Sequence, residues 1–210
     1  TLDDFRALER VGDRAFDMHD KVDAGLWEFR TIARVHTYSS LMCWAACDRL
    51  AKVADHMGYT EKLEHWQQRA DHIRAVIEDQ AWVKEAGHFG AAFGETHLDA
   101  SLLQMVELRF LEADDPRFLA TFEAVEKALR RGEHMLRYDK EDDFGAPETA
   151  FNICTFWLIE ALHMCGRHEE ARDLFIKMLG HRTPSGLLSE DLDFTTGELW
   201  GNFPQTYSLV

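Results

Sequence analysis

Apolar residues recur along most of this chain at intervals of three and four, the period of an α-helix lying against a core. Leu63, Trp66, Ala70, Ile73 and Ile77 form one such stripe. Phe118, Phe122, Val125 and Leu129 form a second, opened by Asp115-Pro116 as a helix start. Ala171, Leu174, Phe175, Met178 and Leu179 form a third. Each has one apolar face, as a helix on the outside of a bundle would.

Between these stripes the pattern changes. The segment from about His36 to Met57 carries Leu41, Cys43, Trp44, Cys47 and Leu50. Leu98 to Leu111 is rich in Leu, Met and Val, and Phe151 to Met164 is apolar nearly all round. Helices of that kind are buried on every side. No segment alternates as a strand would. The chain therefore alternates inner and outer helices, a helical hairpin repeated along its length. The expected architecture is all-α, an α/α toroid or an α-solenoid, with residues 1–210 as a single helical domain.

The connections are unequal. Those leading from an inner helix to an outer one are short: HMGYT, LEADDP, CGRHE. Those leading back are long and dense in Gly, acids and aromatics: GLWEFRTIARVH, EAGHFGAAFGETHLD, YDKEDDFGAPETAF and TPSGLLSEDLDFTTGELWGNFPQ. One rim carries all the long loops, and that rim is where a site is expected.

Composition narrows the chemistry. The chain has 210 residues, 46% hydrophobic, which is a globular composition with enough length for a sizeable core. The formal charge of −15 opposes binding to nucleic acid or to an anionic membrane surface. No apolar run reaches the ~20 residues of a membrane span. The four cysteines, Cys43, Cys47, Cys154 and Cys165, form no C-x-x-C pair. They read as buried thiols of a reducing, cytoplasmic compartment. Histidines are scattered, and the best cluster, His88, His97 and Asp99, matches no metal-ligand spacing. There is no nucleophile elbow and no phosphate loop, and the chemistry considered below calls for no cofactor.

Two carboxylates on the long-loop rim stand out. Glu28 sits between Trp27 and Phe29; Glu190 sits among Ser189, Asp191 and Asp193. A pair of carboxylates in an aromatic-rich site suits glycoside hydrolysis: one gives a proton to the leaving oxygen and the other takes one from water. Aromatic neighbours disfavour a charged carboxylate, so Trp27 and Phe29 are expected to keep Glu28 an acid. Against this, Arg30 can pair with Glu28 as an ordinary salt bridge. Trp27 and Trp200 offer flat faces to a sugar. Trp157 either reaches the same cavity or packs in the core. Arg30, Asp99, Glu148, Asn202 and Gln205 can hydrogen-bond hydroxyls, and Asp99 equally suits a helix cap.

The string GLWEFR…HTYSSLMCWAACDRLAKVA resembles the start of the catalytic half in glycoside hydrolase family 15, the family of glucoamylases, glucodextranases and bacterial trehalases. LDASLLQM…DDPRF, PETAFNICTFWLIEALHMCGRHEEARDLF and GLLSEDLDFTTGELWGNFPQTYS resemble it further, in the same order. The resemblance implies a six-hairpin, (α/α)6 barrel and an inverting glycosidase. It implies Glu28, in GLWE, as general acid and Glu190, before GNFPQ, as general base. Trp27, Arg30 and Glu148 would line the sugar site, though PETAF departs from the family's pattern around Glu148 and TYSLV carries Leu209 where a histidine is expected.

The matched segments belong to the later part of such an enzyme. The expectation is therefore about half of an (α/α)6 barrel, a piece of a longer protein holding both carboxylates but having little activity alone. The open arc would be covered by the rest of the barrel or by a second copy. The expected ligand is an oligosaccharide or disaccharide with a terminal α-glucosyl unit, with no nucleic-acid or membrane partner. The competing expectation is a non-enzymatic helical-repeat scaffold that binds a protein on its concave face; short, even loops would favour it.

Overall fold

The computed structural model describes residues 1–142 and 145–209. Among them are seven α-helices: α1 (Leu2–Met18), α2 (Thr37–His56), α3 (Thr60–Gln80), α4 (Gln104–Glu107), α5 (Pro116–Leu129), α6 (Asn152–Met164) and α7 (His168–Gly180). The strands are two residues each: β1 (Trp82–Val83), β2 (His88–Phe89), β3 (Arg130–Arg131), β4 (His134–Met135), β5 (Ala150–Phe151), β6 (Asp191–Leu192) and β7 (Leu199–Trp200). The chain divides into two compact units, Thr1–Lys84 with Gly90–Thr96, and Glu85–Phe89 with His97–Val210.

In the first unit, α1 opens on a capping box: the Asp4 N–H donates to the Thr1 hydroxyl, and the Asp4 carboxylate accepts from the Thr1 amino group. Phe5 and Gly12 are its buried positions. Gly12 lets α1 come close to α2 and α3, since a Cβ there would overlap Leu50 and stand 2.7 Å from the Trp66 ring. α2 buries Leu41, Trp44, Cys47, Leu50, Ala51 and Ala54, which makes it the inner helix expected. α3 buries one stripe, Trp66, Ala70, Ile73 and Ile77, which makes it the outer one. Each large side chain removed from water in this way contributes roughly 1.5–3 kcal/mol. Trp66 is 1% exposed, and its indole N–H donates to Glu9 at 3.2 Å while Lys62 holds the same carboxylate. Gly58, at φ +73°, turns α2 into α3.

The second unit repeats the scheme. Asp115 caps α5 through the Arg117 N–H, with Pro116 in the first turn, and the helix buries Phe118, Phe122, Val125 and Leu129. α6 buries Cys154, Thr155, Leu158, Ala161 and Leu162; α7 buries Ala171, Leu174 and Met178. Arg130 and Arg167 bridge Glu126 on α5 to Glu170 on α7, with Arg130–Glu170 at 2.8 Å and Arg167–Glu126 at 2.7 Å. A network of this kind holds two helices more firmly than an isolated surface pair.

One expected inner helix takes another form. Within residues 98–111 most of the apolar side chains are buried as their sequence implies, but the segment folds as a 3-10 turn, Ala100–Leu103, running into the single turn of α4. Asp99 caps the 3-10 turn by accepting from the Ser101 N–H at 2.6 Å. Arg109, at φ +61°, ends α4, and the Phe110 N–H closes back onto Met105. The cap starts a tight turn and the left-handed residue stops it, so no long helix forms.

The connections keep the expected asymmetry. Residues 57–59, 108–115 and 165–167 are short; 19–36, 81–99, 130–151 and the stretch after 180 are long. The last two long stretches meet in a small antiparallel sheet, β5–β6–β7, with Phe151 opposite Asp191 and Asp191 opposite Trp200.

Candidate active site

The acid loop lies in the first unit. Asp23 and Arg34 exchange backbone hydrogen bonds at 2.8 and 3.1 Å, which close residues 24–33 into a loop. The Asp23 carboxylate accepts from the Gly25 N–H at 2.8 Å. Gly25, at φ +69°, presses against the imidazole of buried His36: a Cβ there would stand 2.9–3.0 Å from the ring. Phe29 stacks on the same ring at 5.9 Å. The loop is thus wrapped around His36. Glu28 itself has φ +54°, a left-handed conformation that costs a non-glycine residue roughly 1–2 kcal/mol. Such strain persists only where the surroundings fix it, and it is common at functional positions.

The outcome for the side chains differs from the sequence expectation. Glu28 and Arg30 are exposed, whereas Trp27 and Phe29 are half-buried. The aromatic pair flanks Glu28 in sequence, but Glu28 is exposed while Phe29 folds back onto His36.

The base segment lies in the second unit. The Glu190 N–H donates to the Asn202 carbonyl at 2.9 Å, and the Glu190 carbonyl accepts from the Asn152 N–H at 3.0 Å. The carboxylate accepts twice on one oxygen: Oε2 takes the Asn202 backbone N–H at 2.9 Å and the Asn202 side-chain amide at 2.8 Å. Gly201, at φ +77°, makes room for this, since a Cβ there would stand 2.9 Å from Glu190 Oε2 and 3.0 Å from its Cβ. Gln205, half-buried, joins the same segment through its N–H to the Leu188 carbonyl at 3.1 Å. The structure therefore gives Asn202 the carboxylate of Glu190 as a partner and ties Gln205, through its backbone, to Leu188.

Asp191 takes the other side of the strand, since successive side chains alternate. Its carboxylate is 14% exposed and lies 3.7 Å from the Arg137 guanidinium, which stacks over Phe151 at 5.4 Å. Burial pushes the Asp191 carboxyl up from its ordinary range, the Glu190 charge adds to this, and Arg137 opposes it. Asp193 accepts from the Thr195 and Thr196 N–H groups at 2.7 and 3.1 Å, a turn of its own that holds its carboxyl below the ordinary range. Of the other expected sugar contacts, Glu148 is exposed just before β5, Trp157 is half-buried on α6, and Trp200 is 54% exposed. Asp99 is the helix cap described above. Sequence reasoning passed over His36, Gly201 and Asn152. The first two are marked by neighbouring motifs; a lone Asn opening an apolar helix carries no such mark.

Among the described residues no three His, Cys, Asp or Glu side chains gather as a metal site, and no helix is long and apolar enough to cross a membrane.

Residues 16–210 match the model of "Glycosyl hydrolases family 15". The chain belongs to that family. Among family relatives, the trehalase of Mycobacterium tuberculosis is 36% identical over 204 residues, 96% of this chain and 30% of the relative. The trehalase of Thermoplasma volcanium is 33% identical over 187 residues, 89% of this chain and 30% of the relative. The chain thus spans about a third of the length of these relatives. Among solved structures, the glucoamylase of Saccharomycopsis fibuligera superposes with a TM-score of 0.73 at 12% identity, over 94% of this chain and 57% of that one. A bacterial glucoamylase solved in complex with acarbose gives 0.72 at 17%, over 88% of this chain and 33% of that one. The family membership and these likenesses make the fold an all-α part of an α/α toroid, about half of an (α/α)6 barrel.

Proposed function

We propose that this protein hydrolyses terminal α-glucosidic bonds with inversion of configuration, and that its substrate is trehalose. Glu28 gives its proton to the oxygen that leaves. Glu190 takes a proton from a water attacking the anomeric carbon from the opposite face. The glycosidic C–O bond breaks as the new C–O bond forms, and two glucose molecules result. No redox step or cofactor enters.

The observation that carries this reading is the hold on Glu190. Among the described residues both hydrogen bonds to its carboxylate end on Oε2, from the backbone and side chain of Asn202, which leaves Oε1 to face a water. A general base must have an oxygen within hydrogen-bond reach of the water it deprotonates, and this arrangement keeps one available. Glu28 supports it from the first unit, exposed at a strained turn. Trp27, Arg30, Glu148, Trp157, Asn202 and Gln205 are proposed to surround the sugar. Trehalose is favoured because the relatives named above are trehalases, and it presents an α-glucosyl unit at each end. The rest of the ring, from a longer protein or a second copy, completes the pocket, so this chain alone supports little turnover. Four free cysteines fit a reducing cytoplasm. The scaffold alternative calls for short, even loops, and the long connections carry strained and hydrogen-bonded carboxylates instead.

The test is trehalose turnover by the full-length gene product and its E28Q and E190Q variants. Each change is expected to lower kcat roughly 10²–10⁴-fold while trehalose still binds. Wild-type turnover in E190Q would overturn the assignment.

A further inference from the structure

We infer that Asn152 is a positioning residue for the general base. The inference rests on the reading of Glu190 given above and adds to it the group that fixes where Glu190 stands.

Asn152 opens α6 and is 0% exposed. It grips the base segment twice. Its backbone N–H donates to the Glu190 carbonyl at 3.0 Å, and its side-chain Nδ2 donates to the Ser189 carbonyl at 2.9 Å, with Ser189 Oγ at 3.4 Å. The Ser189 hydroxyl in turn donates to the Asp191 carbonyl. Both peptides that flank the Glu190 Cα are therefore tied to the first residue of a buried helix. Asn202 orients the carboxylate; Asn152 orients the backbone from which that carboxylate projects.

The remaining atom of the side chain shows what the residue is for. Asn152 Oδ1 is buried and has no hydrogen-bond partner among the described residues. A buried, unpaired acceptor costs free energy, about 1–3 kcal/mol, which an apolar side chain of the same shape would avoid. A residue selected only for packing would not carry that cost. The amide is retained for its donor. Its orientation follows from its partner, since the Ser189 carbonyl can only accept.

The experiment measures N152L in the full-length gene product, beside wild type and E190Q, with trehalose as substrate. Leucine keeps the volume and removes both polar atoms. The expected result is a kcat lowered roughly 10- to 100-fold, as a misplaced catalytic group produces, with KM within about twofold because the base does not bind the sugar in the ground state. The melting temperature stays within a few degrees of wild type, because removing the unpaired Oδ1 offsets leaving the Ser189 carbonyl without its donor. The acidic limb of the pH profile shifts, because the base now stands in a different environment. N152A removes the amide and adds no group that can donate to the Ser189 carbonyl; it gives the same loss of kcat and decides the matter where N152L does not fold. Wild-type kcat and pH profile in a folded N152L, with E190Q inactive, would overturn the positioning role and leave the base assignment standing. Turnover retained by E190Q would overturn both.

Discussion

Replacing Gly201 by alanine perturbs the base without changing any group that reacts. Two costs can be read from the structure. The residue has φ +77°, where a side chain is disfavoured by roughly 1–2 kcal/mol relative to glycine. The added Cβ would also stand 2.9 Å from Glu190 Oε2, 3.0 Å from its Cβ and 3.4 Å from its Cδ. The Oε2 contact alone could be relieved by a small side-chain rotation. The Cβ contact cannot, because that atom moves only with the backbone, which the Asn202 carbonyl and Asn152 N–H hold. Relief therefore moves Glu190 by several tenths of an ångström and lengthens the two bonds to Asn202, now 2.9 and 2.8 Å. The expected result for G201A is a melting temperature lowered by several degrees, as about 1–2 kcal/mol produces in a domain of this size, and a kcat lowered about tenfold or more. Calorimetry and initial-rate kinetics on the full-length protein give both numbers. Wild-type kcat with a lowered melting temperature would refute the link between this glycine and the base. Wild-type values of both would refute the geometry.

Two further outcomes follow from the same structure. Gly12→Ala gains helix propensity worth up to about 1 kcal/mol, but its Cβ overlaps Leu50 and crowds the Trp66 ring; overpacking of about 1–3 kcal/mol outweighs the gain, so denaturant unfolding should show a net loss, and a more stable variant would contradict the close helix approach. Burial holds His134 below its ordinary pKa, with His181 adding to the effect. The folded state thus binds a proton less readily than the unfolded state, and stability present above about pH 6.5 falls as the pH is lowered; H134L should flatten that slope in a series of melts, and an unchanged slope would show that His134 does not produce it.

Much of the fold is legible in the sequence because helix periodicity is a local signal. Asp115-Pro116 marks the start of α5, the stripe from Trp66 to Ile77 marks α3, and the apolar run of α6 marks an inner helix. Where tertiary structure decides, the sequence is silent. Residues 98–111 carry a buried composition, yet Asp99 and the left-handed Arg109 cut them into short turns. The capping box of Thr1 and Asp4 announces α1 in two residues, a signal weaker than the stripes around it. The candidate site divides in the same way. Motif resemblance locates Glu28 and Glu190, but it does not show that Glu28 has a left-handed backbone, that Gly25 and Phe29 pack on His36, or that Asn152 reaches across to Ser189. Those contacts join residues far apart in the chain, and no spacing rule carries them. The small sheet β5–β6–β7 is hidden for the same reason, since strands of two residues have no period to read.

The most direct test of the central claim is the anomeric form of the glucose first released from trehalose by the full-length protein, followed by proton NMR before mutarotation. Inversion converts the attacked α-glucosyl unit to β-glucose and releases the other as α-glucose. The account predicts equal amounts of the two anomers at the earliest times. Formation of α-glucose alone would mean retention, and Glu190 would not be a base that activates water.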